Sequence, residues 1–240
     1  MISDKILYTI NWAAMRSVLV AFVAAAGFAA APSVTAQDGN DFSLSANAAI
    51  VSDYRFRGLS LSDKDPAIQG GFDISHTSGF YAGTWGSSIE SFAGSEFELD
   101  IYAGYAGEFN GLSTDIGILA YTYPGSSNTH YLEVYGSIGG EVETFSWTLG
   151  AAYAFDQENI GNTDNIYLYL DGGVPLADTP FSLNGHLAYE DGAFGDGKWD
   201  WSTGLSYDFE QFSVSVSYID TNVNSRIGKG GVIASLSASF

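Results

Sequence analysis

From Phe42 onward the side chains alternate apolar and polar with a period of two, and this pattern constrains the fold more than any other feature of the chain. Such a period places successive residues on opposite faces of an extended strand. Residues 42–57 set Phe42, Leu44, Ala46, Ala48, Ile50, Tyr54 and Phe56 on one face, and Asn47, Asp53, Arg55 and Arg57 on the other. The alternation is clearest at 145–155, 181–190 and 199–209. Twelve such runs can be traced, at 42–57, 66–75, 79–89, 95–107, 111–123, 129–139, 143–156, 163–174, 180–190, 198–209, 211–220 and 230–240. The pattern is weakest at 79–89 and 111–123, which leaves ten or fourteen strands open. Pro66, Pro124, Pro175 and Pro180 fall at run ends, where a missing amide donor costs least.

Two architectures share this period. A soluble sandwich or lipocalin-like barrel turns its apolar faces inward, whereas a transmembrane antiparallel up-and-down β-barrel turns them out to lipid. Link lengths favour the second. After even-numbered runs the links are short, at 76–78, 108–110, 140–142 and Glu210, with 175–179 a mild exception. After odd-numbered runs they are longer, at 58–65, 90–94, 124–128, 157–162, 191–197 and 221–229. Short periplasmic turns facing longer external loops are the habit of bacterial outer-membrane barrels, and they put both mature termini on the periplasmic side. Aromatic residues fall into two matching girdles. Phe42, Tyr105, Phe145, Trp147, Phe181, Tyr207, Phe209, Phe212 and Phe240 belong to the periplasmic rim. Tyr54, Phe56, Phe97, Tyr153, Phe155, Tyr189, Trp199, Trp201 and Tyr218 belong to the external one. Phe240 ends the last run on its apolar face, where the outer-membrane assembly machinery is expected to read it as a signal.

Residues 1–36 have the order of a secretory signal peptide: Lys5 and Arg16, an apolar run from Val18 to Ala31, then Val34, Thr35 and Ala36 before the expected cleavage. Met15 directly precedes Arg16 and is an alternative start. The expected mature unit is therefore the barrel, 37–240. Its charge is strongly acidic. The whole chain carries −20, and removing 1–36 leaves six basic against 27 acidic residues. Nucleic acid is excluded as a partner, because its phosphates need lysine and arginine. The chain has no cysteine, so thiol chemistry and disulfide scaffolds are excluded too. Nothing calls for a cofactor.

Three blocks carry a family resemblance. Ser52-Asp-Tyr-Arg-Phe-Arg-Gly-Leu-Ser60, Pro66-Ala-Ile-Gln-Gly-Gly-Phe-Asp73 and Gly79-Phe-Tyr-Ala-Gly-Thr-Trp85 resemble the TorF-like porin family of proteobacteria. Thr122-Tyr-Pro-Gly125 and Glu133-Val-Tyr135 are similar to its later blocks, so the likeness spans essentially the whole mature chain. The resemblance implies an outer-membrane, porin-like barrel with no assigned solute.

In a channel, selectivity follows from the charge and width of the lumen. The residues assigned inward are Glu96, Glu98, Asp100, Asp115, Glu133, Asp171, Glu190, Asp200 and Asp208, against Arg55, Arg57 and Lys198. Acidic walls in a low-dielectric shell concentrate cations. The expected activity is passive diffusion of small hydrophilic solutes, cationic or neutral, in contact with outer-membrane lipid outside. Arg55 and Arg57, two apart on one face, suit salt bridges to carboxylates across the barrel. A lumen neutralised in this way would instead make a non-conducting structural barrel of the envelope. Inward Tyr102, Tyr131, Tyr135, Tyr167 and Tyr169 suit packing better than sugar guidance. An enzyme needs a nucleophile and a base. His130 near Ser126 and Ser127 is the one candidate for lipid modification, and the expectation is that the chain is not an enzyme. The acidic stretch 156–164 offers oxygen ligands to calcium, although its spacing departs from the EF-hand loop.

Overall fold

The computed structural model describes residues 41–127 and 129–240, so the segment read as a signal peptide lies outside the described residues. The barrel strands are β1 (Phe42–Val51), β4 (Ala67–His76), β5 (Phe80–Phe92), β6 (Ser95–Phe109), β7 (Leu112–Thr122), β8 (Tyr131–Val142), β9 (Phe145–Ala154), β10 (Asn165–Pro175), β11 (Phe181–Gly192), β12 (Gly195–Phe209), β13 (Phe212–Thr221) and β14 (Gly231–Ser239). A small hairpin, β2 (Arg55–Phe56) and β3 (Leu59–Ser60), lies between β1 and β4. The twelve long strands pair antiparallel in sequence order, and β1 closes on β14. Closure matters because an open edge in lipid would leave amides and carbonyls without partners. At the seam Asn47–Val51 face Ser235–Ser239, and Phe240 exchanges backbone hydrogen bonds with Ala46 at 2.9 and 3.0 Å.

The two faces of each strand differ sharply. Ile50, Ile68, Ile101, Ile116, Leu149, Leu170, Leu187, Val216 and Leu236 are exposed on the outside, whereas Glu98, Glu133, Glu190 and Lys198 are at most 2% exposed inside. This is the inside-out order of a barrel whose solvent is lipid. Exposed aromatics flank the aliphatic belt: Phe80 packs edge-on to Tyr105, and Tyr207 stacks on Phe209, at the end carrying the short turns. Tyr189 and Trp199, with centroids 5.2 Å apart, mark the other end.

Three expectations need correction. The first run does not extend from 42 to 57; β1 stops at Val51, and the chain bends inward. Tyr54 is fully buried and Phe56 half-buried inside the barrel, so neither belongs to the external girdle. Secondly, 90–94 and 191–197 are not loops. β5–β6 and β11–β12 continue to two-residue turns at 93–94 and 193–194, because strands of 13 and 15 residues outrun the 9–11 or so that a bilayer needs. Ala93 and Gly94, at φ 51° and 90°, make the left-handed pair that a tight hairpin requires. Thirdly, Glu96 does not point inward. The β5–β6 pairing shifts between Ser88 and Phe92, which leaves Glu96 and Phe97 both exposed while Ser95 and Glu98 turn in.

Candidate functional site

The inward bend places a small polar machine inside the barrel. Asp53 accepts hydrogen bonds from Ser60 Oγ at 2.6 Å and Arg55 Nε at 2.7 Å, and the Tyr54 amide donates to Ser62 Oγ at 2.9 Å. These local bonds stabilise a reversal with Arg57 and Gly58 at its tip, where φ is 48° and 82°. Glycine is needed at Gly58 for space as well: a Cβ there would lie 2.7 Å from Asp200 Cβ and closer still to Thr221. The tip thus reaches the β12–β13 wall. Tyr54 meets Trp85 edge-on and Phe56 meets Tyr121, so the hairpin also rests on β5 and β7.

Arg57 ties the tip to two further strands. Its Nη2 donates to Glu133 and its Nη1 to Glu190, each at 2.7 Å, and its guanidinium lies 4.3 Å from the Tyr167 ring centroid. Lys198 Nζ donates to the Arg57 carbonyl at 2.6 Å and pairs with Glu190 at 2.7 Å and Asp200 at 3.4 Å. His186 continues the chain, with Nδ1 2.6 Å from Asp171 and Nε2 3.2 Å from Asp200. Charge-assisted bonds of this kind are the strong ones, and a forked guanidinium fixes direction as well as distance. Arg55 behaves differently. It pairs with its neighbour Asp53 and donates to the carbonyls of Gly58, Ile227 and Lys229, so it fastens the hairpin to the 222–230 loop.

The carboxylates outnumber the cations. Asp53, Glu98, Asp100, Glu133, Glu190 and Asp200 are buried, against Arg55, Arg57 and Lys198. Glu98 Oε2, Asp100 Oδ1 and Glu133 Oε1 have no hydrogen-bond partner. Below the hairpin, tyrosines fill the wall. Tyr81 donates to Asp115 at 2.7 Å and meets Tyr135 at 2.5 Å, and Tyr102 donates to Asp73 at 2.5 Å. Each ring lies across a glycine directly opposite in register: Tyr81 over Gly104, Tyr102 over Gly83, Tyr135 over Gly117 and Tyr169 over Gly150. These pairs give inward tyrosines a packing role, the aromatic cover that a glycine in a sheet otherwise lacks.

Residues 35–237 match the family model described as "Bacterial protein of unknown function (Gcw_chp)". The chain belongs to the Gcw_chp family. No curated protein sequence matches it. Among solved structures, the Gcw_chp chain is similar to "KdgM porin", with a TM-score of 0.57 and 11% identity over 82% of this chain and 98% of that one. It is equally similar to "KdgM porin in complex with disordered oligogalacturonate", at 0.56 and 11%, over 82% and 97%. At such identity the shared property is the porin barrel fold.

The remaining sequence candidates of this Gcw_chp barrel are scattered. Asp208 has inward parity but lies exposed at the short-turn end, apart from the charged network. Arg55 and Arg57 stand on the hairpin instead of a wall strand, and Arg57 alone reaches across the barrel. Ser126 gives its hydroxyl to the Tyr123 carbonyl at 2.8 Å and contacts Thr129, so it forms no pair with His130. In the 156–164 stretch, Asp164 takes the Tyr153 hydroxyl and Gln157 bonds the backbone of Leu132. Among the described residues no group of three or more His, Asp or Glu is placed to hold a metal ion. Sequence reasoning missed Asp73, Tyr81, Tyr121 and Asn165, of which Asn165 donates to Glu190 at 3.0 Å. The available signal was parity with inward neighbours two residues away.

Proposed function

We propose that this chain is a porin-like channel of the bacterial outer membrane, passing small hydrophilic solutes, cationic or neutral, through a lumen narrowed by the 52–62 hairpin. The carrying observation is the buried excess of carboxylate over cation inside a barrel whose exterior is apolar. Charged rings in a low-dielectric shell act on permeant ions across the whole width of a narrow lumen. The KdgM complex concerns oligogalacturonate, a polyanionic sugar. An interior with surplus carboxylate opposes such a solute, so the substrate class proposed here is the opposite in charge or neutral. On this reading residues 1–36 direct export, outer-membrane lipid contacts the apolar belt, and Phe240 is the mark read by the assembly machinery. The TorF-like resemblance fits the same picture.

A second reading draws on the Arg57 clamp. Because Arg57 and Lys198 hold the hairpin to carboxylates on three strands, β8, β11 and β12, this reading makes the barrel a closed envelope component. Planar-bilayer recording of the refolded barrel separates the two. Discrete conductance steps with a reversal potential favouring cations are expected. Absence of steps would leave the closed barrel standing, and anion preference would sink the acidic-lumen argument.

A further inference from the structure

The interior is two-sided, and this bears on where a solute travels within the channel proposed above. The large side chains of the hairpin lean on one wall, while its Gly58 tip touches Asp200 and Thr221 and Arg55 holds the 222–230 loop. Tyr54, Phe56 and Arg57 contact Trp85, Tyr121, Glu133, Tyr167 and Glu190, which stand on β5, β7, β8, β10 and β11. These strands and their neighbours β6 and β9 bear most of the tyrosine and carboxylate residues, and small inward residues among them are covered: Ala154 on β9 is fully buried and Ala188 on β11 is 2% exposed. The facing wall is built otherwise. On β13 and β14 the inward positions carry Ser213, Ser215, Ser217, Ser235, Ser237 and Ser239, and all six remain half-buried. Across the seam Ser239 faces Asn47, and Ser215 faces Ser235.

Between hairpin and serine wall lies a cavity of about 100 Å³, enough for several waters. Asn47, Gln69, Ser215, Ser217, Ser235 and Ser237 supply its polar lining beside the apolar Val51, Ile219 and Ile233, and Asp53 with Arg55 border it at the hairpin. Glu98, Asp100, Glu133 and Glu190 are absent from that lining. We propose that the passage runs through this serine-lined cleft, past the hairpin edge at Asp53 and Arg55, and that its direct contacts select neutral, hydrogen-bonding solutes. Serine hydroxyls and side-chain amides both donate and accept, so they can replace the hydration of a polyhydroxyl or amide solute without fixing its charge. The acidic cluster then acts only at a distance. Of the two arginines on the hairpin, Arg55 lies at the cleft's edge, buried and paired with Asp53, while Arg57 is held on the far wall.

The inference rests on the channel reading, and a thiol-accessibility experiment can fail for each separately. The chain has no cysteine, so one introduced thiol is unique. Ser215→Cys and Ser237→Cys place it in the cleft, and Ala188→Cys places it under the tyrosine wall. Each variant is recorded in a planar bilayer before and after a small charged methanethiosulfonate reagent, and modification is read by mass. A fall of about twofold or more in step size is expected for both cleft variants, with Ala188→Cys unchanged. Modified cleft variants with unaltered steps, or block through Ala188→Cys alone, would overturn the path while leaving the channel. An unmodified barrel that gives no steps would overturn the channel reading, and the path with it.

Discussion

At the scale of single residues, Arg57 decides whether the hairpin stays in the lumen. Its two η nitrogens each hold a carboxylate that is 1% exposed, so truncation would leave Glu133 and Glu190 buried without that partner. Removing one member of a buried ion pair costs about 3–5 kcal/mol, more than the pair itself contributes. Arg57→Ala is therefore expected to lower unfolding stability in urea by about that amount, measured on the refolded barrel in detergent. Arg57→Lys keeps the charge but cannot fork, and should recover only part of the loss. A loss near zero for Arg57→Ala would mean that water enters freely and hydrates both carboxylates. Glu96 provides the contrasting case. The register shift puts it outside the charged interior, so Glu96→Gln should leave ion selectivity where it is, whereas Glu98→Gln should weaken cation preference. Reversal potentials under a salt gradient distinguish the two.

At the scale of elements, period-two alternation traced a run for each of the twelve barrel strands, although its weakness at 79–89 and 111–123 left ten or fourteen open. It failed where it was too regular. Residues 52–57 keep the alternation of β1 while leaving the wall, so Tyr54 and Phe56 read as lipid-facing although they pack on Trp85 and Tyr121. The unused clue was length, since a run of 16 residues exceeds the 9–11 or so that cross a bilayer. Glu96 was lost for a different reason: a bulge reverses parity, and no local residue pattern announces one. The charged network was legible only as a list of inward carboxylates, because which of them share Arg57 depends on a contact between residues 76 and 133 positions apart. The tyrosine and glycine pairs show how neighbouring strands specify one another. A Cβ on Gly104 would lie 2.6 Å from Tyr81 Cζ, which forces the ring off its site. Gly104→Ala should cost about 1–3 kcal/mol through overpacking. In Gly104→Ala with Tyr81→Ala the two penalties should fall short of additivity, because the ring is gone and only the contact with the Ile116 carbonyl remains. Strict additivity in urea titrations would dissociate the pair.

At the scale of the whole molecule, the acidic balance of the sequence is concentrated into an asymmetric field. Glu98, Asp100, Glu133, Glu190 and Asp200, with Arg57 and Lys198, are buried outside the cleft lining, the paired Asp53 and Arg55 border the cleft, and the serine wall carries no charge from Ser213 to Ser217 or from Ser235 to Ser239. A solute on the serine side therefore feels those five carboxylates through intervening water instead of by contact. Interactions across water are screened over about 10 Å at 0.1 M salt and about 3 Å at 1 M, whereas buried contact pairs are screened much less. This difference makes selectivity a measure of distance. If ions pass along the cleft, the cation-to-anion permeability ratio should fall toward unity as potassium chloride rises from about 0.1 M to about 1 M. If they pass directly between Glu98, Asp100 and Glu133, the ratio should hold nearly constant over the same range. A constant ratio would thus move the passage to the acidic wall, and Glu98→Gln would then have to abolish the preference at every salt concentration instead of only weakening it at low salt.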